Sequence, residues 1–382
     1  MDISLNKVQK NIAKEARRFL KKECPIDFIR EIVDGEWDFT DELWKKMAEM
    51  GWMSIRIPEQ YGGMGMEQTD INIILEEMGR ALLPGPFFST VMLAGETIME
   101  CGNNEQKEKY LPGIADGKIL GTFAIYEPEG GSDPYYINLK AKNTGDKFIL
   151  DGTKLFVPDA DSADFIICAA KTDNGSETSD GITLFIINRE TEGVSISLIP
   201  AIDTTRKIFA VEFNNVQLNE SSILGAYGEG KETMRKILQR AQIGLCAEAI
   251  GGAERAMEIA TEHAKTRVQF DSPIGAFQAV KHLCSQMFLE VESSRSLLYW
   301  AAWAQDHADP KEAAIAASTA KSYCSEAGKK VSSSAIQVLG ATGFSWESEL
   351  HLYLKRAKAN EMSLGDPAYH REEIMKIIET SA

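Results

Sequence analysis

The stretch Arg267-Val268-Gln269-Phe270-Asp271-Ser272-Pro273-Ile274-Gly275-Ala276-Phe277-Gln278 carries residue types that can hold a phosphorylated aromatic ligand. Arg267 offers a planar fork of donors for a phosphate, Phe270 a flat face for an aromatic ring, and Gln278 a polar handle beyond a Pro-Gly break. Alone, the same residues also describe an ordinary turn between two helices, with a solvated Arg and a core Phe. Three further stretches carry glycine where backbone must bend or be approached closely. They are Pro58-Glu59-Gln60-Tyr61-Gly62-Gly63-Met64-Gly65, Tyr126-Glu127-Pro128-Glu129-Gly130-Gly131-Ser132-Asp133, and Gln337-Val338-Leu339-Gly340-Ala341-Thr342-Gly343-Phe344-Ser345-Trp346-Glu347. A basic run, Lys355-Arg356-Ala357-Lys358, follows the last of them.

The elements that must position these residues fall into three blocks. From Ser4 to about Gly117 apolar residues recur at three and four, as in Leu43, Met47 and Met50 or Ile71, Ile74, Leu75 and Met78, which predicts an all-α domain. Ser89 and Thr90 are expected to cap a helix after the Leu83-Pro84-Gly85-Pro86 interruption. After Gly121 short apolar runs at strand spacing (Phe148 to Leu150, Phe165 to Ala169, Ile182 to Ile187, Ala210 to Phe213) predict a small antiparallel β domain or barrel. Asp151-Gly152 and the polar loop Lys171 to Gly181 are expected as hairpin connections. From Gly230 onward, periodic runs (Ile243 to Ala264, Ala279 to Ala308, Lys311 to Leu339) have the length of a four-helix bundle. The expected domains are residues 1–118, 119–222 and 223–382. Small residues over Ala247 to Ala253 predict a close helix contact, within the bundle or between subunits.

Bulk properties restrict the function. A net charge of −16 argues against nucleic acid, whose phosphates need a basic surface. No apolar run is long enough to span a bilayer, and the basic amphipathic start (Val8, Ile12, Ala16, Phe19, Leu20) is expected to pack on its own domain. The six cysteines are scattered without a CxxC pair, which suits reduced thiols and a cytoplasmic setting. The five histidines show no metal-site spacing, and no G-x-G-x-x-G follows an expected strand, so neither a metal centre nor a Rossmann domain is expected.

The four glycine-bearing motifs occur in the order, and with the helix–β–helix arrangement, that resembles the acyl-CoA dehydrogenase superfamily, from about Trp37 to Arg371. The resemblance implies the three-part fold: an N-terminal all-α domain, a middle antiparallel β-barrel and a C-terminal four-helix bundle. It implies FAD as cofactor, an acyl-CoA thioester as substrate and an electron-transfer flavoprotein as acceptor. Enzymes of this family take the α-hydrogen as a proton with a carboxylate base while the β-hydrogen leaves as hydride to the flavin. The thioester oxygen is held by hydrogen bonds, one of them from the backbone N–H at the base position. Family members bind FAD across a subunit boundary, with its diphosphate half on the neighbour's bundle. The matching residues here are Arg267, Phe270, Gln278, Gln337 and Gly340, with Ala341 where a second Gly is usual.

The flavin half departs from the family pattern. Ser132 matches and Phe156 can stack, but Tyr126 stands where the family has a Thr and Phe156-Val157-Pro158 where it has Trp-x-Thr. Pro158 offers neither hydroxyl nor N–H to a flavin. Alignment through Gly365 and Arg371 puts Leu364 at the usual catalytic Glu, and the alternative base position, on the bundle's first helix, is Gln239. Neither can take a proton. A one-residue slip near Gly365 would make Asp366 or Glu361 the base.

Because the losses fall on the flavin side and only Ala341 on the other, the expected role is one subunit of a hetero-oligomeric acyl-CoA dehydrogenase. Its partner is a homologous dehydrogenase subunit, in a heterotetramer. The patterns Gly343-Phe344-Ser345-Trp346-Glu347…His351 and Gly365-Asp366…His370-Arg371 resemble members acting on bulky, alicyclic, steroid-like or dicarboxylic thioesters. Three other readings are a homotetramer with a displaced base, a non-redox structural or acyl-CoA-binding subunit, and a flavin oxidase or monooxygenase.

Overall fold

The computed structural model describes residues 4–35, 39–172 and 181–380, so Trp37 and most of the Lys171 to Gly181 loop lie outside the described residues. Helix α1 (Lys7–Glu23) starts at a capping box in which Asn6 and Gln9 accept each other's backbone N–H. Its apolar stripe buries Ala16 and Leu20, and Arg17 closes on Glu77 of α4 (Gln68–Arg80) at 2.8 Å. The basic first helix thus packs on its own chain. Between these come α2 (Ile26–Asp34) and α3 (Asp41–Glu49), and after them α5 (Glu96–Cys101) and α6 (Asn104–Ala115).

A π-helix over Phe88–Gly95 leads into α5, and its residues are all buried. Ser89 and Thr90 do not cap it, because the backbone at Phe87 is already helical. Their hydroxyls reach outward instead: Ser89 Oγ donates to Asp159 at 2.5 Å and Thr90 Oγ1 to the Gly121 carbonyl at 3.2 Å. Side chains expected to start a helix therefore tie it to the β domain.

Eight strands among the described residues form that domain: β1 (Gly121–Ala124), β2 (Lys140–Asn143), β3 (Phe148–Pro158), β4 (Phe165–Lys171), β5 (Ile182–Asn188), β6 (Val194–Ile199), β7 (Ile208–Leu218) and β8 (Ile223–Leu224). Their order, β6-β7-β3-β2-β4-β5-β8 with β1 on the side of β4, is an open sheet and corrects the expected barrel. The sheet ends on β6 at one edge and the two-residue β8 at the other. β2 and β4 meet only at Lys140 and Lys171, in parallel, so the sheet folds over at a weak joint and does not close. The fold-over encloses Leu150, Val157, Ile166, Cys168, Phe185, Ile187, Val211 and Phe213 in a core of their own. Phe165, Ile167, Ile182, Leu184 and Ile186 join the larger helical core. Burial on both faces accounts for the unbroken apolar runs of β4 and β5. These two strands pair as the expected hairpin, with Lys171 opposite Ile182. Asp151-Gly152 is no hairpin turn: it lies inside β3 as a bulge against β7, with Gly152 at a φ of 144°.

The C-terminal helices are α7 (Gly230–Thr266), α8 (Gln278–His307), α9 (Pro310–Leu339), α10 (Leu350–Met362) and α11 (Pro367–Glu379). α9 packs against each of the other four. It begins with Asp309, whose carboxylate accepts the N–H groups of Lys311 and Glu312, and with Pro310, whose missing N–H costs nothing in the first turn. The small residues do make a close helix contact, but neither within the bundle nor between subunits: it joins α7 to α4 of the N-terminal domain. A Cβ on Gly251 would stand 1.7 Å from the Glu76 carbonyl oxygen, and one on Gly79 2.1 Å from that of Glu248.

Candidate active site and cofactor face

The phosphate-fork residues gather at one end of the bundle. α7, α8 and α9 run alternately up and down, so the C-terminus of α7, the start of α8 and the C-terminus of α9 share an end. The break between α7 and α8 is a two-residue β-hairpin in which β9 (Val268–Gln269) pairs with β10 (Ser272–Pro273). Phe270 and Asp271 form its tip with φ of 53° and 61°, a conformation that costs non-glycine residues energy. That geometry holds Phe270 in solvent, 86% exposed. Arg267, Gln278, Gln337 and Gly340 are exposed beside it. Arg267 forms no ion pair among the described residues, and Gly340 has a φ of 67° with nothing within 4 Å of where a Cβ would stand. These five residues stand exposed at the helix ends on this side of the bundle.

The flavin-side residues gather elsewhere, around an inner cavity of about 510 Å³. Tyr126, Ser132, Phe156, Pro158 and Leu364 all line it, with Phe88, Leu93, Phe123 and Leu245 as an apolar wall. Its polar rim is tied down by buried ion pairs. Arg356 meets Asp203 at 2.6 Å and Arg206 meets Glu248 at 2.8 Å. Burial would raise the Asp203 carboxyl, but the Arg356 guanidinium and Thr205 hold it below the usual range. Arg356 of the basic run is thus structural. Glu127 is too: it accepts the N–H groups of Asn138 and Leu139 and pairs with the fully buried Lys154 at 2.7 Å. This anchors both ends of the Gly130-Gly131-Ser132 loop.

Leu364 sits in the turn between α10 and α11, 5% exposed, with a φ of 58°. Three side chains hold this strained turn. Gln242 Nε2 donates to the Leu364 carbonyl at 3.1 Å, and His370 Nε2 donates to the same oxygen at 3.0 Å, which fixes its tautomer. Lys321 Nζ donates to the carbonyls of Asn360, Glu361 and Gly365 at 3.0, 3.2 and 3.0 Å. Burial lowers the Lys321 ammonium to about 8. The sequence analysis missed Lys321, although a signal existed. It stands on a buried face with Ala313, Ala317, Ser318, Cys324, Ser325 and Gly328, all of them small and uncharged.

The remaining base candidates point elsewhere. Asp366 caps α11, accepting the Tyr369 N–H at 2.8 Å, and Glu361 pairs with Lys329 at 2.5 Å. Neither lines the inner cavity. Gln239 is buried and faces a second, outer cleft of about 870 Å³ with Tyr135, Arg235, Gln242, Lys311, Tyr369 and His370. The two possible base positions therefore open on two different cavities.

Family models match the chain along most of its length: the acyl-CoA dehydrogenase N-terminal domain over residues 6–118, the middle domain over 122–216 and the C-terminal domain over 228–379. An acyl-CoA dehydrogenase of Bacillus subtilis is 33% identical over 375 residues, 96% of each chain. The chain belongs to the acyl-CoA dehydrogenase family. A caffeyl-CoA reductase-Etf complex subunit, CarC, of Acetobacterium woodii is 33% identical over 88% of each chain. The solved butyryl-CoA dehydrogenase of Megasphaera elsdenii superposes with a TM-score of 0.91 at 27% identity, covering 99% of this chain and 100% of that one.

This is therefore an oxidoreductase of the acyl-CoA dehydrogenase class, a family whose cofactor is FAD. The two halves of an FAD site fit the molecule differently. The bundle end fits a diphosphate: an exposed guanidinium, two amide side chains, an aromatic tip and an open glycine cradle. The inner cavity fits a flavin ring poorly. Tyr126 projects into it, with an Oη that is buried and makes no hydrogen bond of good geometry among the described residues. Pro158 supplies no donor, its carbonyl being taken by Thr122 Oγ1 at 2.6 Å.

Proposed function

We propose that this chain is one subunit of a hetero-oligomeric FAD-dependent acyl-CoA dehydrogenase, lending its bundle end to the FAD of a homologous partner subunit and carrying no catalytic base of its own. The observation that carries this reading is the contrast between the two half-sites, an open bundle end that fits a diphosphate and a cavity lined by Leu364, Tyr126 and Pro158 that fits a flavin ring poorly, and the two lie far apart. From Leu245, on the cavity wall, to Arg267 is 22 residues of α7, about 33 Å at 1.5 Å per residue. One dinucleotide cannot span both ends of one protomer, so Arg267 serves a cofactor whose flavin lies in another chain. FAD, when bound, supplies the hydride acceptor. The work of this chain is to hold its phosphates with Arg267, to pack Phe270 against it, and to offer Gln278, Gln337 and the Gly340 turn as polar contacts.

The own-site side of the reading rests on Leu364, whose alkyl side chain cannot accept a proton, and on the engagement of Asp366 and Glu361 in a helix cap and an ion pair. Those same engagements weigh against the homotetramer with a displaced base. An electron-transfer flavoprotein is the proposed electron partner, by analogy with the Etf-associated relative, and the six free cysteines favour a cytoplasmic setting.

The test is to purify the chain alone and co-expressed with a homologous subunit, and to measure FAD content and acyl-CoA oxidation. A chain without FAD that completes the FAD site of its partner is expected. One FAD per chain and turnover by the chain alone would overturn the reading in favour of a self-sufficient enzyme.

A further inference from the structure

The outer cleft of about 870 Å³ is lined by one buried side chain that no neighbour uses. Gln239, on α7, is only 9% exposed, and its side-chain amide makes no hydrogen bond among the described residues. A primary amide carries two N–H donors and a carbonyl acceptor, and leaving them unmet in a buried place is costly. Gln242, one turn along the same helix, shows the usual solution, since its Nε2 donates to the Leu364 carbonyl at 3.1 Å.

The other polar groups of the cleft divide into those already engaged and those left open. His370 spends Nε2 on the Leu364 carbonyl and has Ser318 Oγ 3.4 Å from its Nδ1. Tyr135 and Tyr369 line the cleft as well, and neither hydroxyl makes a hydrogen bond among the described residues. The Tyr369 ring is set edge-on against His370 at 5.3 Å. Burial pushes both phenols above their ordinary range, so they stay neutral donors. The charged lining cancels: Glu229, Glu232 and Glu373 stand against Lys231, Arg235 and Lys311, with Arg235 closed on Glu232 at 2.6 Å. What remains open to a ligand is an amide and two phenols, in a cleft without net charge.

We propose that Gln239 is a specificity-determining residue, and that with Tyr135 and Tyr369 it selects an acyl-CoA thioester whose acyl group carries an uncharged oxygen, a hydroxyl or a ketone. The proposal rests on the dehydrogenase-subunit reading above and names the acyl class. Glutamine cannot take a proton, but it gives two N–H groups and accepts a third hydrogen bond, which suits it to reading an oxygen that is both donor and acceptor. Selection follows from the mismatch: an acyl group of the same length without the oxygen covers the amide and leaves it unpaired, and a carboxylate finds no net positive charge.

Calorimetric titration of the full chain with butyryl-CoA, 2-hydroxybutyryl-CoA and 3-hydroxybutyryl-CoA compares acyl groups of one length with and without the oxygen, and succinyl-CoA adds a charged one. At least one hydroxy thioester is expected to bind about tenfold more tightly than butyryl-CoA and succinyl-CoA, and Gln239→Leu to erase that preference. Equal binding, no binding of any, a preference for succinyl-CoA, or a preference that persists in a Gln239→Leu variant shown to be folded by circular dichroism overturns the proposal. Should Gln239→Leu fail to fold, Tyr369→Phe, which removes one hydroxyl and nothing else, is the second measurement: the preference should fall by about threefold or more, and an unchanged preference overturns the proposal. FAD bound one per chain, with turnover by the chain alone, overturns the subunit reading instead, and the order of the thioesters still decides the role of Gln239.

Discussion

Gln242 Nε2 donates to the carbonyl of Leu364 across 3.1 Å, joining residues 122 positions apart and seating the strained turn on the longest helix of the molecule. His370 shares that oxygen from the other side at 3.0 Å, with its Nδ1 near Ser318 Oγ at 3.4 Å. The turn proposed above as the place of the missing base is thus held from two sides, although Leu364 has no acid–base chemistry.

His370 gives this grip a pH dependence. Burial, reinforced by Lys321, lowers the imidazole to about 4, whereas an unfolded histidine titrates near about 6.5. Above the unfolded value both states are neutral and no stability is lost. As pH falls below it, the unfolded chain takes up a proton that the folded ring refuses, so stability declines down to about pH 4, by up to about 3 kcal/mol. Urea midpoints measured at several pH values should show this slope, and His370→Gln, which keeps a donor for Leu364, should flatten it.

Arg267→Ala should weaken FAD retention in the assembled enzyme. Losing a charge-assisted hydrogen bond costs about 1.5–3 kcal/mol, on the order of tenfold or more in affinity. Flavin content after dialysis measures it, and no change would remove Arg267 from the cofactor face.

Asp366 separates capping from catalysis. Its carboxylate accepts the Tyr369 N–H at 2.8 Å, a bond that Asn can reproduce and Ala cannot. Asp366→Asn should leave assembled activity within a few-fold and Asp366→Ala should cost about 1 kcal/mol of stability, read by denaturation. A fall of about 10²–10⁴ in rate for the Asn variant, with flavin still bound, would make Asp366 the base.

Two adjacent glycines should respond with opposite signs. A Cβ on Gly251 overlaps the Glu76 carbonyl oxygen at 1.7 Å, so Gly251→Ala must push α7 off α4 and should cost about 1–3 kcal/mol. A Cβ on Gly252 meets the Gly79 oxygen and Tyr353 at an ordinary 3.5 Å, so Gly252→Ala should gain up to about 1 kcal/mol from helix propensity. Thermal melts of the two variants decide it.

The sequence by itself determined what is local or periodic. The 3.6-residue repeat places α7, α8 and α9, and the unbroken apolar runs at Phe165 and Ile182 give strands covered on both faces. The residues proposed for the diphosphate face, Arg267 to Gln278 and Gln337 to Gly340, lie at helix ends whose breaks are written in Pro and Gly. Tertiary structure alone decided the rest. Whether a run of strands closes depends on pairing between its two ends, here β6 and a two-residue β8, and no short-range pattern records that. Asp151-Gly152 has the composition of a turn, yet its place against β7 makes it a bulge. The purpose of Lys321, Gln242 and His370 is equally invisible in their own neighbourhoods. Each is a polar group whose burial is tolerable only because a backbone carbonyl 44, 122 or 6 residues away meets it, and only the packed fold brings those oxygens within reach.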